Sequence, residues 1–404
     1  MRDRRRVKPL SGYRVVDFSQ LIAGPSATAM MTDLGAEVIK VETPSGDPAR
    51  NLRRAETPPG PGSPTYRAYN SGKRSIVLNL KDSRGQEVAR KLIADADVLV
   101  ESFRPGVMDR LGLGPDDARR LNPKLVYASL AGFGFGPVSS TRRGVDLVIQ
   151  AESGLMSVTG FADGLPTKVG FTIVDAAAGH VLTEAILAAL LYRERMSMPP
   201  PAVRVSLLDV AMHLQAGPLA EYLETGHVPQ RVGNAAPTSA PADLLRVKDG
   251  YIVVSAYLEG HWLALCETLG CPELIEDSRF STVEARLVNR AELCEQLERA
   301  LATDTAEVWL SRLSAEKIVA GAVKDYAQVA ASVEAREGTV IGDDEVVPRV
   351  PTIGSPFSLS DLDKRPQQSA PTPGEHTLEI LAGCGYSAEE IDLLETDRVI
   401  SGAR

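Results

Sequence analysis

Short apolar runs alternate with helical patterns in the first third of the chain. Five such runs, each of strand length, lie at 13–18, 36–42, 75–80, 97–100 and 125–130. A helical stretch of small residues follows the first run, and Pro25 suits its first turn, because proline lacks the N–H that would be unpaired there. Near-continuous apolar strands separated by helices are typical of a parallel sheet covered on both faces. The pattern therefore predicts an α/β fold.

The second half of the chain has a different pattern. A proline-rich stretch at 196–201 predicts a hinge, and 204–226 predicts one long helical connector. A strand at 250–255 comes next, and amphipathic helices follow it to about residue 313. A final pair of helices is predicted at about 375–382 and 388–395. The chain is thus expected to carry a second, smaller domain of α+β type.

Charge and cysteine content exclude several classes of protein. Among 404 residues, 44 Lys and Arg face 53 Asp and Glu, for a formal net charge of −9. This balance argues against a nucleic-acid partner, although a local arginine cluster can still bind phosphate. Four scattered cysteines form neither a disulfide framework nor a metal motif, which fits a reducing cytoplasm. We read no apolar run close to the ~18 residues of a membrane span, so no membrane partner is expected.

Motifs for redox cofactors and metals are weak. The turn after the first strand holds one glycine, Gly24, where a dinucleotide-binding turn uses three. The glycine-rich run at 132–136 has the wrong spacing, and Pro137 follows it. The five histidines form no HxxxH or HExxH grouping, and no Gly-x-Ser-x-Gly motif is present. We therefore expect no metal and no redox cofactor.

Asp175 is the most unusual carboxylate in the sequence. It stands between an apolar run and a helix start of three alanines and Gly179. One interpretation is a helix cap, since aspartate is common at helix N-termini. The other is a nucleophile, kept ionised by the helix N-terminus, which attacks an activated acyl group to form a mixed anhydride. The residues alone leave both open.

Two basic groups are candidates for binding phosphate. Arg104 and Arg110 follow the predicted strand at 97–100, and the pair 142–143 precedes Gly144. Arginine binds phosphate well because its planar fork donates two parallel hydrogen bonds. Ordinary solvated charge is the alternative interpretation for each group.

Taken together, these stretches resemble the class III coenzyme A transferases, the family of formyl-CoA transferase, carnitine CoA-transferase and α-methylacyl-CoA racemase. The motifs that carry the resemblance stand in family order over nearly the whole chain. They are 9–17 (PLSGYRVVD), 23–25 (AGP), 34–42 (LGAEVIKVE), 70–75 (NSGKRS), 97–106 (DVLVESFRPG), 109–112 (DRLG), 132–134 (GFG) and 374–377 (GEHT). No single motif is diagnostic, but the ordered set is specific.

The resemblance implies roles for particular residues. The nucleophilic aspartate of the family falls on Asp175, and Asp146 matches an acidic position that supports it. Coenzyme A is expected along the loops after the first, second and fourth strands. The positions implied to contact it are Leu21, Ile22, Phe103, Arg104, Arg110 and Arg143, the last near the 3′-phosphate or pyrophosphate.

The resemblance also implies the activity and the architecture. CoA would move from an acyl-CoA donor to a carboxylic acid through covalent intermediates on Asp175, with nearby main-chain N–H groups stabilising the oxyanions. Residues 1–203 and 329–404 would form one Rossmann-like large domain, 204–226 a helical linker, and 227–328 the small domain. An interlocked homodimer is expected.

This sequence departs from the family pattern at three places. Val145 stands where racemases carry a histidine and transferases commonly a tyrosine, and Ile22 is apolar where some transferases have glutamine. The stretch that matches the mobile glycine-rich loop, 255–261, has one glycine, so any gate there would be stiffer or would work through Glu259 and His261. An acyl-CoA racemase or epimerase and a non-catalytic CoA-binding protein are the alternative functions. The two apolar replacements favour a less polar acyl pocket than one for oxalate or formate.

Overall fold

The computed structural model describes residues 8–55, 62–337, 341–343, 351–354, 356–359 and 369–402. These residues form two compact units. The larger unit consists of Met1–Leu155, Val169–Leu223 and Val333–Arg404, and the smaller unit consists of Met156–Lys168 and Glu224–Ser332.

The described residues contain strands and helices throughout both units. The strands are β1 (Arg14–Asp17), β2 (Glu37–Glu42), β3 (Arg74–Leu78), β4 (Val98–Glu101), β5 (Val126–Ala131), β6 (Val203–Ser206), β7 (Ala242–Val247), β8 (Gly250–Ser255), β9 (Val319–Ala322), β10 (Ile341–Asp343), β11 (Pro351–Ile353) and β12 (Ile400–Ser401). The first ten helices are α1 (Ala23–Asp33), α2 (Pro64–Asn70), α3 (Ser83–Ala94), α4 (Val107–Arg110), α5 (Pro115–Leu121), α6 (Asp146–Glu152), α7 (Leu155–Val158), α8 (Ile173–Met196), α9 (Leu207–Leu214) and α10 (Ala216–Thr225). The others are α11 (Glu259–Leu269), α12 (Glu273–Glu276), α13 (Val283–Val288), α14 (Arg290–Leu301), α15 (Ala306–Ala315), α16 (Tyr326–Ala331), α17 (Val333–Glu337), α18 (Thr377–Gly383) and α19 (Ala388–Thr396).

A seven-stranded sheet organises the large unit, in the order β12-β3-β2-β1-β4-β5-β6. The six strands β1 to β6 are parallel, and β12 pairs with β3 in the antiparallel direction. The order 3-2-1-4-5-6 is that of doubly wound α/β folds, in which ligands bind beyond the carboxyl ends of the strands. The predicted α/β class and the joint N- and C-terminal large body are confirmed.

Helices cover both faces of this sheet. Val15 lies in one apolar cluster with α1, α6, α8 and α9, while its neighbour Val16 lies in another with α3, α5, α18 and α19. Successive side chains of a strand point to opposite faces, so a strand buried on both sides must be apolar at consecutive positions. This is why the strands appear as uninterrupted apolar runs in the sequence.

Helix α8 is the longest described helix and packs closely on α1. A Cβ atom added at Gly179 would lie 2.5 Å from the Ser26 hydroxyl, so glycine is required for this approach. An 18-residue stretch of α8 has a mean hydropathy of 1.6, so this 24-residue helix is long and apolar enough to cross a membrane by length and composition. Core helices of globular proteins meet the same criteria, and eight residues of α8 are buried. The expectation that no run approaches this length was therefore wrong.

The small unit has its own core. Its sheet is antiparallel, in the order β7-β8-β9. Helices α11, α14 and α15 cover one face, and buried Trp262, Phe280 and Trp309 lie among their aliphatic side chains. The predicted strand at 250–255 is β8.

The domain bounds differ from the prediction. Residues at the start of the predicted 204–226 linker form β6, whose Val203 and Val205 are buried at the edge of the large sheet. The alternation Val-Arg-Val-Ser was the signal for this strand, but the preceding prolines obscured it. The large unit extends to Leu223 and thus includes most of the predicted linker. The segment 156–168, which was predicted to belong to the large domain, belongs to the small unit.

Candidate functional site

A cavity of about 120 Å³ lies beyond the carboxyl ends of the central strands of the large unit. The loop after β1, the ends of β4 and β5, and the starts of α8 and α9 contribute to it. Twelve residues line it: Gln20, Leu21, Ile22, Ala23, Ser102, Leu130, Ala131, Gly132, Gly144, Val145, Asp175 and Leu207. Three residues predicted for the site, Leu21, Ile22 and Asp175, therefore meet at one place.

Asp175 is the third residue of α8 and is half-buried. No hydrogen bond to its carboxyl group is found among the described residues. Burial, and secondly the negative charge of Asp146, raise the pKa of Asp175 to about 7. Burial and a second carboxylate thus oppose the ionisation that the helix N-terminus was expected to favour.

Asp146 caps α8 from a different helix. Its Oδ1 accepts hydrogen bonds from the N–H groups of Val174 at 2.8 Å and Asp175 at 3.1 Å, and its Oδ2 accepts one from Gln150 at 2.6 Å. The N-cap residue, Thr172, makes no capping bond with its own side chain. The capping role considered for Asp175 thus belongs to Asp146. A carboxyl group without a capping role, facing a cavity, can serve as a nucleophile or base.

The first N–H groups of α8 are already engaged in hydrogen bonds. Val174 and Asp175 both donate to Asp146, and the N–H of Ala176 donates to the Thr172 carbonyl within the helix. These three N–H groups are therefore not free to bind an oxyanion, and the expected oxyanion stabilisation by main-chain N–H groups near Asp175 stays a prediction for the other backbone segments that line the cavity.

The β1–α1 loop forms the opposite side of the cavity and is held by three strands. The N–H of Ser19 donates to Asp17 at 2.9 Å, that of Gln20 to Ser102 at 3.0 Å, and that of Leu21 to Asp47 at 3.2 Å. With these bonds in place, Leu21 has a left-handed backbone, with φ of 67°. Such a backbone is unfavourable for a residue other than glycine, so the surrounding contacts must impose it.

Buried ion pairs lie behind this loop. Lys40 contacts Asp47 at 2.8 Å and donates to the Ser19 carbonyl at 2.9 Å, and Lys73 contacts Asp17 at 3.0 Å. Burial opposes the ionisation of Asp17, but Lys73 and Lys40 together hold its pKa well below the usual range. Burial lowers the pKa of Lys73 to about 8, although Asp17 opposes this. Lys40 thus joins β2 to the loop after β1, and Lys73 joins the start of β3 to the carboxyl end of β1.

Two glycines let backbones cross beside the cavity. A Cβ atom added at Gly132 would lie 2.7 Å from the Gly144 Cα, and one added at Gly144 would lie 3.0 Å from the Gly132 Cα. Any larger residue would displace the segment that carries Val145 and Asp146. The glycines at 132 and 144 therefore have a steric role in shaping the site.

Apart from Leu21 and Ile22, the residues predicted to contact coenzyme A follow β4 or precede α6. Phe103 packs against an apolar core cluster, and Arg104 lines a second cavity of about 290 Å³ together with Glu101 and Arg204. Burial raises the pKa of Glu101 to about 7. Arg110 and Arg143 are exposed and line neither cavity.

These three arginines are available for ligands. Among the described residues, no carboxylate forms an ion pair with Arg104, Arg110 or Arg143. Arg142 differs, because it pairs with Glu152 at 2.5 Å and stacks on Phe133 at 3.7 Å. Of the basic pair at 142–143, Arg143 is thus the residue that is free to bind an anion.

The stretch at 255–261 of the small unit runs from the end of β8 into the first turn of α11. Gly260 lies inside that helix rather than in a loop. Glu259 pairs with the buried Arg286 at 3.0 Å, and the His261 ring packs edge-on against Tyr257. Glu259 is therefore held in place by a structural ion pair.

Sequence reasoning missed several residues of the site. Contacts of Asp47, Lys40 and Gln150 hold the segments that line the cavity in place. Tyr69 lies near Asp175: burial, and secondly the negative charge of Asp175, raise the pKa of the Tyr69 hydroxyl. Lys40 within an otherwise apolar strand was a signal, because a lysine buried in a sheet requires a partner. The other residues gave none, since their contacts join distant segments.

Comparisons with known proteins were made for the whole chain. A family model for CoA-transferase family III matches residues 10–377. A probable fatty acyl-CoA transferase of Mycobacterium tuberculosis is 39% identical, over 93% of this chain and 98% of its own. A succinate–glutarate CoA-transferase of Agrobacterium fabrum is 34% identical, over 93% and 96%. The crystal structure of a CAIB/BAIF family protein from Brucella suis superposes with a TM-score of 0.84 at 34% identity, covering 94% of this chain and all of the other.

Proposed function

This chain belongs to CoA-transferase family III, and from that premise we propose that it transfers coenzyme A from an acyl-CoA donor to a carboxylic acid acceptor through covalent intermediates on Asp175. The observation that carries the proposal is the position of Asp175 on the cavity, with a carboxyl group that caps nothing and accepts no hydrogen bond among the described residues. Nearby Asp146, by contrast, has both oxygens occupied. The two carboxylates thus have separate roles, one reacting and one positioning.

The proposed reaction proceeds in four balanced steps. The Asp175 carboxylate attacks the donor thioester, the C–S bond breaks, and a mixed anhydride and CoA thiolate form. The thiolate attacks the aspartyl carbonyl, which gives an aspartyl–CoA thioester and frees the first acid as its carboxylate. The acceptor carboxylate then displaces the thiolate to make a new anhydride. Attack of the thiolate on its acyl carbonyl releases the new acyl-CoA and restores Asp175, without net proton transfer.

Coenzyme A is proposed to bind across the end of β4. Arg104, Arg110 and Arg143 carry positive charge and have no ion-pair partner among the described residues, which suits phosphate groups. Phe103 offers an aromatic ring near them, and Leu21 and Ile22 would face the thioester end in the cavity. No group of His, Cys, Asp or Glu in the described part of the chain has a metal-binding arrangement.

Racemase chemistry has less support. Exchange at the α-carbon needs two groups that can each hold a proton. Val145, at the position of the racemase histidine, has no such atom, and the oxygens of Asp146 accept three hydrogen bonds. We therefore expect negligible deuterium uptake into a 2-methylacyl-CoA in deuterated water.

Mass spectrometry of the peptide that carries Asp175 tests the proposal. The protein is incubated with a panel of acyl-CoAs and quenched with hydroxylamine or borohydride, which convert an anhydride or thioester into a stable derivative. We expect a mass change on Asp175 that depends on the donor. Peptides with exposed carboxylates, such as Glu152, serve as internal controls and should stay unmodified.

The variant Asp175→Asn completes this test. It should still bind acyl-CoA but show neither derivative nor transfer. An unmodified Asp175 across the whole panel, with normal CoA binding, would favour a non-catalytic CoA-binding protein. Deuterium uptake without a covalent derivative would favour a racemase.

We also propose that the protein functions as a homodimer, interlocked as the family resemblance implies. Support comes from α10, in which none of the ten residues is buried although Leu219, Tyr222 and Leu223 are apolar. An isolated helix of this length is marginal in water without packing. A second copy of the chain would cover it.

A further inference from the structure

The walls of the Asp175 cavity are apolar where they are most buried. Ile22, Leu130, Ala131 and Leu207 each expose 8% of their surface or less. Val145 closes the more open side and is 57% exposed. An acyl chain that entered beside Asp175 would therefore contact aliphatic side chains along most of its length.

The charge in this cavity is of one sign. None of the twelve lining residues is a cation, and Asp175 is the ionisable member. Asp146, next to it, is also acidic and is buried. Lys40 and Lys73 are already paired with Asp47 and Asp17 and are fully buried, so they cannot turn towards the cavity. A second carboxylate on the acyl group would thus be desolvated next to negative charge, with no cation among the lining residues to pair with it.

Polar groups in the cavity are few and partly used. Ser102 accepts a hydrogen bond from the Gln20 N–H through its hydroxyl oxygen, which leaves it one hydrogen to donate. The Gln20 side chain is the other uncharged polar side chain among the lining residues. One or two hydrogen bonds suffice for the carbonyl oxygen of a thioester, but they do not replace a cation for a full carboxylate.

We infer that the acyl subsite accepts apolar monocarboxylic acyl groups and discriminates against dicarboxylic ones, with Ile22 and Val145 as specificity-determining residues. This inference rests on the proposed function, because it concerns the acyl group that Asp175 receives. The volume of about 120 Å³ compares with ~150 Å³ for an apolar cavity that holds benzene. Chains of about four to six carbons therefore fit within it.

Self-exchange measures this preference without confusing donor with acceptor. Each acyl-CoA is mixed with its own carbon-14-labelled acid, and the transfer of label into the thioester is followed. The panel pairs butanoyl-CoA and hexanoyl-CoA with succinyl-CoA and glutaryl-CoA. We expect kcat/KM to be at least ~20-fold higher for the apolar members, the size expected when a charged group is left unpaired.

Substitution of Val145 supplies the missing cation. Val145→Arg should raise the succinyl-to-butanoyl ratio of kcat/KM by ~10-fold or more, because the new guanidinium can pair with the distal carboxylate. Val148→Arg is the matched control, since Val148 is an exposed residue of α6, the helix that follows Val145, and does not line the cavity. It should leave the ratio unchanged. Ile22→Gln tests the other wall and should lower butanoyl exchange.

The outcomes separate the inference from the proposed function. If succinyl-CoA exchanged as fast as butanoyl-CoA or faster, the inference would be overturned. Labelling of Asp175 in the same protein would still support the transferase function. Loss of succinyl exchange alone in Arg143→Ala would also overturn it, because Arg143 would then be the anchor for a second carboxylate. Absence of exchange with every donor, together with an unlabelled Asp175, would instead refute the proposed function.

Discussion

The acidic pair at the start of α8 shows how one residue sets the properties of another. Asp146 stabilises the helix through two main-chain hydrogen bonds, and its charge also disfavours ionisation of Asp175. A carboxyl group with a raised pKa is a stronger nucleophile once ionised but is ionised only in part at neutral pH. Because the pKa of Asp175 is raised, its ionisation opposes folding as the pH rises from the ordinary aspartate range to about 7.

The pH dependence of transfer follows from this. Since the Asp175 carboxylate is the reacting form in the proposed mechanism, kcat/KM should rise with pH to a plateau above 7 and be about tenfold lower at pH 6. Asp146→Asn should move the midpoint downward, because the second cause of the raised pKa is removed while Asn Oδ1 still accepts from the helix. Initial rates from pH 5 to 9 check both statements.

Glu152→Gln is the control for that experiment. It removes one negative charge from the same helix, α6, but Glu152 pairs with Arg142 on the surface. Its pH profile should match that of the wild type. An unchanged midpoint in Asp146→Asn would contradict the electrostatic coupling between the two aspartates.

At the scale of elements, the β1–α1 loop is fixed by side chains rather than by its own propensity. Its three successive N–H groups donate to residues of β1, β2 and β4 or the turns that follow them. This arrangement holds Leu21 in a conformation that leucine rarely adopts. The cavity wall thus depends on the alignment of three strands.

At Leu21, glycine should therefore destabilise the fold less than valine, the reverse of the order expected at a position with an ordinary backbone. Leu21→Val, although chemically conservative, should destabilise the fold by about 1–2 kcal/mol and lower kcat/KM, because a β-branched residue is strained at positive φ. Leu21→Gly should be neutral or stabilising, since glycine adopts this backbone freely. Denaturant unfolding measures both.

Leu52 provides the matched control for this comparison. It is exposed to a similar degree, 44% against 37%, but has an ordinary φ of −75°. There, valine should be close to neutral and glycine should destabilise the fold. The same order of effects at both positions would show that the backbone of Leu21 is not strained.

At the scale of the whole molecule, apolar surface is left uncovered along the helices that follow β6. Leu214, Leu219, Tyr222 and Leu223 are exposed by 37 to 74%. Helix α8 also exposes Leu191 and Met196 beyond its buried face. An apolar surface of this extent on a folded chain indicates a protein contact.

Light scattering after gel filtration tests the proposed dimer. The wild type should have twice the chain mass of 43.2 kDa. A double substitution, Leu219→Glu with Tyr222→Glu, should yield monomer, because buried unpaired carboxylates oppose association. Leu393→Glu, at an exposed apolar residue of α19, should stay dimeric. A monomeric wild type would refute the proposal.

The sequence by itself determined the α/β class, most strands of the large sheet and the family. Strands buried on both faces must be apolar at every position, so their signal is local and strong. Asp175 also stood out, because a lone carboxylate before a run of alanines is unusual. The strands β6, β7, β9, β10, β11 and β12 were missed, since short strands or strands with partly exposed positions carry a weak local pattern.

Only the tertiary structure decided how the site is assembled. Asp146 caps a helix 28 residues away, and Asp47 holds a loop 26 residues before it. Such pairs have no signature in the local pattern, because they depend on which strands lie side by side. That Asp175 caps nothing, and that its ionisation is disfavoured, therefore followed from what the fold placed around it: Asp146, which takes the capping bonds, apolar walls and no cation among the residues that line its cavity.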